Sequence, residues 1–262
     1  MKKVAVVTGG SSGIGRCTAD LLSQNGYAVY ELSRHGASRP GVVHITADIG
    51  DKAQVERAME QVFRLSGRLD VLVNNAGFGI SGPVEFTDPL EVRHLFDVNF
   101  FGALHCIQCA VPYLRQTGGG HIVNLSSVAA PLAIPFQAFY SCVKAAVNGL
   151  TLALANELRP FHIAVSAVMP GDAKTGFTAA RRKETKGREV YGEAMVRAVQ
   201  AMERDEETGM SPSVVARCIL RIVSKPSPKP FYVAGAKYKL FVGLARLLPA
   251  RFVNYVVGKL YG

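Results

Sequence analysis

Short runs of β-branched and other apolar residues recur along the chain, separated by longer segments whose apolar positions have helical spacing. The apolar runs cover residues 3–8, 28–33, 42–46, 69–73, 122–125, 164–168 and 230–234. Runs of this length, bounded by turn residues, predict buried strands. Because they alternate with helical segments and show no hairpin signal, the pattern predicts an α/β fold with a doubly wound parallel sheet.

The predicted helices begin at residues suited to capping. Asp51 precedes a segment that runs to about residue 65, Asp88-Pro89 one to about residue 114, and Ser211-Pro212 one to about residue 223. Such side chains accept hydrogen bonds from free N–H groups of the first turn, where proline is also tolerated. Apolar spacing predicts a further helix over 136–159. With no linker between these elements, we predict that residues 1–262 form a single domain.

Residues 172–210 depart from this alternation because they are largely polar and charged. They include the basic run Arg181-Arg182-Lys183. A polar stretch of this length in a compact enzyme predicts either a substrate lid or a solvated helix pair.

The last part of the chain, residues 237–262, combines an apolar stripe with basic side chains. The stripe is broken near Pro249 and consists of Phe241, Leu244, Leu248, Phe252, Val256 and Leu260. The chain has a net charge of +10, and nine basic but no acidic residues follow Glu207. The pattern predicts an amphipathic helical tail. Two interpretations stay open, packing against the domain or a second subunit, and contact with an anionic membrane surface.

A glycine-rich turn follows the first predicted strand. Gly9-Gly10-Ser11-Ser12-Gly13-Ile14-Gly15 connects that strand to a segment of helical composition. Glycines allow a sharp turn and close approach of the backbone to a pyrophosphate, and the helix start offers free N–H groups. The order strand, glycine turn and helix predicts a dinucleotide-binding site, in a core that we place at residues 1–175.

The end of the second strand indicates which dinucleotide is bound. A carboxylate at this position binds the ribose of NAD, whereas a basic group favours the 2′-phosphate of NADP. Here the strand ends in Ser33 and Arg34, and Glu31, the nearest acidic residue, lies within the strand. We therefore predict NADP(H) in preference to NAD(H), with a solvated Arg34 beside bound NAD(H) as the alternative.

Tyr140 and Lys144 stand four residues apart and therefore share a helix face. A neighbouring ammonium favours the phenolate, so the spacing predicts a lowered pKa for Tyr140. A tyrosine tuned in this way can exchange a proton with a carbonyl or an alcohol. Ser127 follows a predicted strand and could hydrogen-bond the same substrate oxygen.

These motifs together resemble the short-chain dehydrogenase/reductase family, in its shorter branch. Residues 8–15 match its cofactor turn and Asn74-Asn75-Ala76-Gly77 its sheet-stabilising motif. Ser127, Tyr140 and Lys144 match its catalytic serine, tyrosine and lysine, and Asn99 matches the asparagine that completes the tetrad. Residues 170–175 match the segment that contacts the nicotinamide. The resemblance is tight over residues 1–175 and loose beyond them.

The resemblance implies a Rossmann fold and assigns a role to each matched residue. Tyr140 would be the general acid/base, and Lys144 would hold the ribose and lower the Tyr140 pKa. Ser127 would position the carbonyl oxygen, and Asn99 would hold a proton-relay water. The implied cofactor residues are Gly9, Ser11, Ser12, Gly13, Ile14, Gly15, Ser33, Arg34, Asp48, Ile49, Asn75, Ala76, Gly77, Tyr140, Lys144, Pro170, Gly171, Ala173 and Thr175. Ser12 is a departure, because many NADP-using members have Lys or Arg there.

We therefore predict an NADPH-preferring oxidoreductase that interconverts a ketone or aldehyde and an alcohol on an apolar substrate, such as a steroid, retinoid or lipid. The alternative is a non-catalytic dinucleotide-sensing or partner-binding module on the same fold. A homo-oligomer, dimer or tetramer, is expected. No nucleic acid partner is expected, because the chain lacks a recognition motif or a stacking platform.

The cysteines and the hydropathy pattern bear on location and metal binding. Five cysteines, an odd number, without an export signal predict free thiols in the cytoplasm. No uninterrupted apolar stretch is long enough to span a bilayer, so any membrane contact would be peripheral, through the tail. Cys106 and Cys109 have metal-like spacing, but without a second pair they are more typical of core packing, and no metal site is predicted.

Overall fold

A computed structural model describes residues 2–261; Met1 and Gly262, the outermost residues of the predicted domain and tail, lie outside the described residues. The strands are β1 (Val4–Thr8), β2 (Ala28–Ser33), β3 (Val42–Thr46), β4 (Val71–Asn74), β5 (Ile80–Ser81), β6 (Gly120–Leu125), β7 (Ile163–Pro170), β8 (Arg182–Lys183) and β9 (Phe231–Ala234). The helices are α1 (Gly13–Gln24), α2 (Lys52–Ser66), α3 (Pro89–Phe96), α4 (Gly102–Gln116), α5 (Ala138–Glu157), α6 (Phe177–Ala180), α7 (Arg188–Glu207), α8 (Pro212–Val223), α9 (Ala236–Ala245) and α10 (Ala250–Tyr261).

Seven strands form one parallel sheet in the order β3-β2-β1-β4-β6-β7-β9. The order reverses next to β1, so the carboxyl ends of β1 and β4 flank a crevice where ligands of such sheets bind. The predicted α/β class and the doubly wound parallel sheet are confirmed. Each of the seven predicted apolar runs overlaps a strand of this sheet.

The alternation of side chains along the strands builds a core on each face of the sheet. In β1, Val4 and Val6 join the cluster beneath α2 and α4, whereas Ala5 and Val7 join the cluster beneath α1 and α8. Each fully buried aliphatic side chain contributes about 1.5–3 kcal/mol. Both faces are thus covered, and the edge at the strands' carboxyl ends is left for the site.

The predicted caps begin the helices they were assigned to. The Asp51 carboxylate accepts hydrogen bonds from the N–H groups of Ala53 and Gln54, and the Asp88 carboxylate accepts one from Leu90. The predicted helix over 136–159 is shorter, because Phe136 has a left-handed backbone conformation with φ of 59° and α5 starts at Ala138.

The long helix predicted after Asp88 contains a π-helical turn, Asp97–Phe101, between α3 and α4. Such turns widen the helix locally and are frequent at functional sites. This one positions Asn99.

By length and composition, Pro89–Gln116 and Ala138–Glu157 could cross a membrane. Both segments, however, lie against the sheet and contribute side chains to its core. Cys106 is fully buried in the same core, in agreement with the core packing predicted for it, and burial raises the pKa of its thiol.

The polar segment predicted as a lid or a helix pair folds into α6, β8 and α7. β8 pairs with β5 in a small parallel ladder that the sequence pattern did not reveal. Beyond it, α9 and α10 form the predicted amphipathic tail and are separated at Pro249.

Candidate active site

A cavity of about 990 Å³ lies at the carboxyl ends of β1, β4, β6 and β7. Its wall includes every predicted site residue except Gly15 and Asn99. Gly15 lies beneath the glycine turn and Asn99 lies behind Gly77. The structure therefore brings together residues that are up to about 170 positions apart in the chain.

The glycine turn has the geometry of a phosphate cradle. Gly9 and Gly13 have φ of 64° and 53°, a region that disfavours side chains. At Gly15 a Cβ atom would overlap the carbonyl oxygen of Gly9, so the turn closes only with glycine there. Backbone N–H groups at the start of α1 remain available for an anion. These residues fit a dinucleotide pyrophosphate.

The turn is fixed to the neighbouring strand end by Thr8 and Asn75. The Thr8 hydroxyl accepts hydrogen bonds of 3.0 Å from the N–H groups of Asn75 and Ala76. The Asn75 amide donates to the carbonyl oxygens of Thr8 and Gly9 at 2.9 and 3.2 Å. This network holds the two sides of the crevice at a fixed separation.

The end of β2 presents Ser33 and Arg34 to the cavity, but not Glu31. The Glu31 side chain is fully buried, and its carboxylate is paired with the His44 ring. Arg39, which sequence reasoning missed, donates to the Gly10 carbonyl oxygen at 3.1 Å and pairs with Asp20 at 2.6 Å. Arg39 thus supports the glycine turn although it is 29 residues away in the chain, and no local sequence pattern predicts this contact.

Tyr140 and Lys144 face the cavity from α5, and Ser127 faces it from the end of β6. The Lys144 ammonium lies 5.6 Å from the centre of the Tyr140 ring and donates to the Leu125 carbonyl oxygen at 2.9 Å. The Ser127 hydroxyl lies close enough to Tyr140 to lower the pKa of the phenol in part. The three side chains therefore line the same part of the cavity wall.

The predicted lowering of the Tyr140 pKa is wrong for this structure. Burial raises the pKa of Tyr140 to about 12 and outweighs the lowering effect of its hydrogen bond to Ser127. Burial also lowers the pKa of Lys144 to about 8. The physical reason is that burial destabilises the charged form of each side chain by more than the attraction between the two charges stabilises it at this separation.

Asn99 is held by the π-helical turn. Its amide nitrogen donates to the carbonyl oxygens of Leu95 and Phe78 at 3.0 and 3.2 Å. Its Oδ1 is buried and has no donor among residues 2–261. Since a buried acceptor without a partner is costly, this oxygen fits an ordered water.

The half of the cavity beyond Tyr140 is largely apolar. Phe177 of α6, which the sequence did not single out, packs its ring 5.6 Å from that of Tyr140. The six residues of the tail stripe line the same cavity, namely Phe241, Leu244, Leu248, Phe252, Val256 and Leu260. The stripe therefore faces the candidate substrate space and not the core of the domain.

The tail is joined to the predicted nicotinamide segment. The Tyr238 ring lies flat on Gly171, where any Cβ would overlap it, and the Tyr238 hydroxyl donates to the Asp172 carboxylate. Burial raises the pKa of Asp172, and the hydrogen bond from Tyr238 lowers it in part. Behind Asp172, the Glu206 carboxylate pairs with Arg181 and accepts from the Thr178 hydroxyl at 2.6 Å.

The model of the short chain dehydrogenase family matches residues 3–186, which include the glycine turn and the convergent Ser127, Tyr140 and Lys144. The chain belongs to the short-chain dehydrogenase family. It is an oxidoreductase of that family, with the Rossmann-type fold described above.

Similarity to individual members of the family extends over the whole chain. A 3-ketodihydrosphingosine reductase of Bacteroides thetaiotaomicron is 38% identical over 99% of this chain and 98% of its own length. A short-chain dehydrogenase structure from Streptomyces avermitilis has a TM-score of 0.85 at 28% identity, with 97% and 96% of the two chains covered.

Solved members of the family contain either nicotinamide dinucleotide. ElxO with NADP bound has a TM-score of 0.77 at 26% identity and covers 92% of this chain and 100% of its own. A 3-ketoacyl-(acyl-carrier-protein) reductase of Brucella melitensis complexed with NADH has a TM-score of 0.75 at 25% identity, over 89% and 96% of the two chains. The fold thus binds NAD(P)(H), and the choice between the two cofactors depends on local residues.

Proposed function

We propose that this protein is an NADPH-dependent reductase that converts a ketone to a secondary alcohol on a long-chain, lipid-like substrate. The observation that carries the proposal is the cavity itself. It joins the convergent hydroxyls of Tyr140 and Ser127 to an apolar compartment lined by the tail stripe. An apolar cavity with a few convergent polar groups is typical of a small-molecule site.

Tyr140 and Ser127 hold the substrate oxygen. Both hydroxyls donate hydrogen bonds to the carbonyl, and the bonds strengthen as negative charge develops on its oxygen. Since the pKa of Tyr140 is raised to about 12, the phenol keeps its proton at neutral pH. It then transfers that proton to the oxygen as general acid.

Lys144 and Asn99 support this proton transfer. With a pKa of about 8, Lys144 is cationic at neutral pH yet close enough to neutrality to pass a proton on. The unpartnered Oδ1 of Asn99 accepts from a water that resupplies Lys144. Both residues act as positioning groups for Tyr140.

NADPH is the proposed cofactor, and when bound its nicotinamide supplies the hydride. The glycine turn would hold its pyrophosphate, and residues 170–175 its nicotinamide end. Arg34 is free to pair with the 2′-phosphate, while the only carboxylate of β2 is sequestered by His44. NADH offers Arg34 no dianion, so the same geometry favours NADPH.

The substrate class follows from the apolar compartment and from the named relative. The 3-ketodihydrosphingosine reductase acts on a ketone that carries a long alkyl chain, and its sequence matches this chain from end to end. The tail stripe offers an apolar wall of the kind that such a chain requires. We propose long-chain 3-ketones of this type as substrates.

The location and assembly of the protein are part of the proposal. All five cysteines are unpaired within residues 2–261, which supports a reducing, cytoplasmic environment. A homo-oligomer, dimer or tetramer, is expected, and size-exclusion chromatography with light scattering measures it.

Replacement Tyr140→Phe tests the chemistry. The variant should lose about a hundredfold or more of the NADPH-dependent reduction of 3-ketodihydrosphingosine, because a general acid contributes ~10²–10⁴-fold. NADPH binding, followed by nucleotide fluorescence, should be nearly unchanged. Tyr255→Phe, on the tail but outside the cavity, is the matched control.

Two results would contradict the proposal. A Tyr140→Phe enzyme that retains a tenth of the wild-type rate would remove Tyr140 from the chemistry. A wild-type protein that binds NADPH but reduces no ketone of any chain length would support the non-catalytic, dinucleotide-sensing alternative.

A further inference from the structure

The two tail helices present a second apolar surface, distinct from the stripe that lines the cavity. Leu240, Leu247 and Tyr255 are 64%, 84% and 63% exposed, and none of them lines the cavity. Single exposed apolar residues need no explanation. Here one lies on α9, one on the turn that follows it and one on α10, beside a stripe that is itself about half exposed, so this end of the molecule presents apolar surface of the kind found at interaction sites.

The charged side chains of the tail itself all have one sign. Lys239, Arg246, Arg251 and Lys259 are exposed on α9, on α10 and on the turn between them, and none of them forms an ion pair with any residue in the described range 2–261. No acidic residue follows Glu207. An apolar patch within an unneutralised basic surface is complementary to an anionic lipid surface, where the apolar groups enter the headgroup boundary and the cations meet phosphates.

A second copy of the chain is a poorer fit to the same surface. In a two-fold symmetric contact, a patch faces its own copy. Lys239, Arg246 and their neighbours would then meet the same cations without a carboxylate on either side, and like charges brought together in this way repel.

The outer surface of the tail lies next to an open side of the cavity. Phe241, Leu248 and Phe252 line the cavity and are 41%, 40% and 53% exposed, so this wall is open towards the outside. Leu247 lies on the turn between these helices, and Arg251 lies on α10. A bilayer at the outer surface therefore lies next to the open side of the substrate compartment.

We propose that α9 and α10 dock the protein on anionic bilayers through the surface of Leu240, Leu247 and Tyr255 and the basic residues Lys239, Arg246, Arg251 and Lys259. This docking surface places the apolar wall of the cavity against the acyl region, so that a long-chain ketone enters from the membrane. The inference rests on the proposed function for the identity of the substrate, but not for docking itself.

Vesicle co-sedimentation tests docking without turnover. The probes are vesicles of pure phosphatidylcholine and vesicles that also contain phosphatidylglycerol, at low and physiological salt. The full-length protein should sediment with the anionic vesicles only, and added salt should release it.

A charge-matched pair of variants tests where the binding surface lies. The tail variant replaces Lys239, Arg246, Arg251 and Lys259 by Gln. The control replaces Lys2, Lys52, Arg57 and Arg64, four exposed basic residues remote from the tail, and has the same net charge. The tail variant should bind anionic vesicles about 600-fold more weakly than the wild type, since each of the four basic residues near the surface contributes roughly fivefold. The control should bind nearly as the wild type does.

The apolar part is tested by Leu240→Ser with Leu247→Ser, which should also weaken vesicle binding. Reduction of a short, water-soluble ketone should be unchanged in every variant, which shows that each is folded. Failure of the wild type to bind anionic vesicles at low salt, or equal binding by tail variant and control, would overturn the proposal. A serine variant that binds vesicles normally but no longer forms the wild-type oligomer would also overturn the proposal, since that result assigns the surface to a contact with a second copy. Vesicle binding by a protein that reduces no ketone would leave docking standing and refute the proposed function.

Discussion

Replacement Arg34→Ala is expected to change cofactor preference far more than cofactor binding in general. Arg34 directly follows β2 at the cavity wall, and the carboxylate that could otherwise bind the ribose is buried against His44. A charge-assisted hydrogen bond contributes ~1.5–3 kcal/mol. Because Arg34 is exposed and screened by solvent, the lower end applies, which corresponds to a loss of about tenfold in affinity for NADPH.

The affinity for NADH should change by less than about twofold, because NADH has no phosphate at this position. Both dissociation constants are measured by nucleotide fluorescence with the same protein preparation. Arg57→Ala, on the exposed face of α2, controls for the loss of one positive charge. Equal weakening of NADPH and NADH would refute the reasoning, because it would show that Arg34 does not read the phosphate.

Two further predictions concern proton transfer and the substrate compartment. The value of kcat/KM for ketone reduction should be constant below pH 8 and fall above it, because Lys144, with a pKa of about 8, loses its charge while Tyr140, with a pKa of about 12, stays protonated. In Lys144→Arg, which keeps its charge, this decline should vanish. A decline that persists in the variant would assign it to another group. Phe252→Ala should lower kcat/KM for a long-chain ketone about tenfold, because roughly 1.5 kcal/mol of apolar contact is lost, and should leave kcat/KM for a short ketone unchanged. Leu247→Ala, outside the cavity, is the control. Equal effects on both ketones would show that Phe252 does not contact the alkyl chain.

The strands and caps were predictable because they depend on local chemistry. Asp51 and Asp88 begin helices through hydrogen bonds to residues two or three positions away. The π-helical turn at Asn99 and the left-handed Phe136 are backbone adjustments to tertiary contacts. Neither has a signature in the residue pattern, so helix boundaries shifted by one or two residues or were interrupted.

The candidate site was predictable in its composition but not in its electrostatics. The sequence placed Tyr140 and Lys144 on one helix face, but the direction of the Tyr140 pKa depends on burial, which only the packed structure provides. Arg39 and Phe177 reach the site from segments without a motif.

For the tail, too, the sequence predicted the helices but not their contacts. An apolar stripe such as that of Phe241 and Leu248 indicates that one face of a helix is withdrawn from water, but not which surface it meets. The two interpretations considered from the sequence were the domain or a second subunit, and a membrane. The structure assigns the stripe to the cavity and leaves a different set of residues, around Leu247, facing outward.

The contact between Tyr238 and Gly171 connects the predicted nicotinamide segment to the tail. The ring at the start of α9 rests on the segment that carries Ala173 and Thr175, and its hydroxyl donates to Asp172. A dinucleotide that shifted this segment would therefore displace the helix that lines the apolar compartment. By reciprocity, an alkyl chain that favoured one position of α9 would change the affinity for the dinucleotide by the same factor.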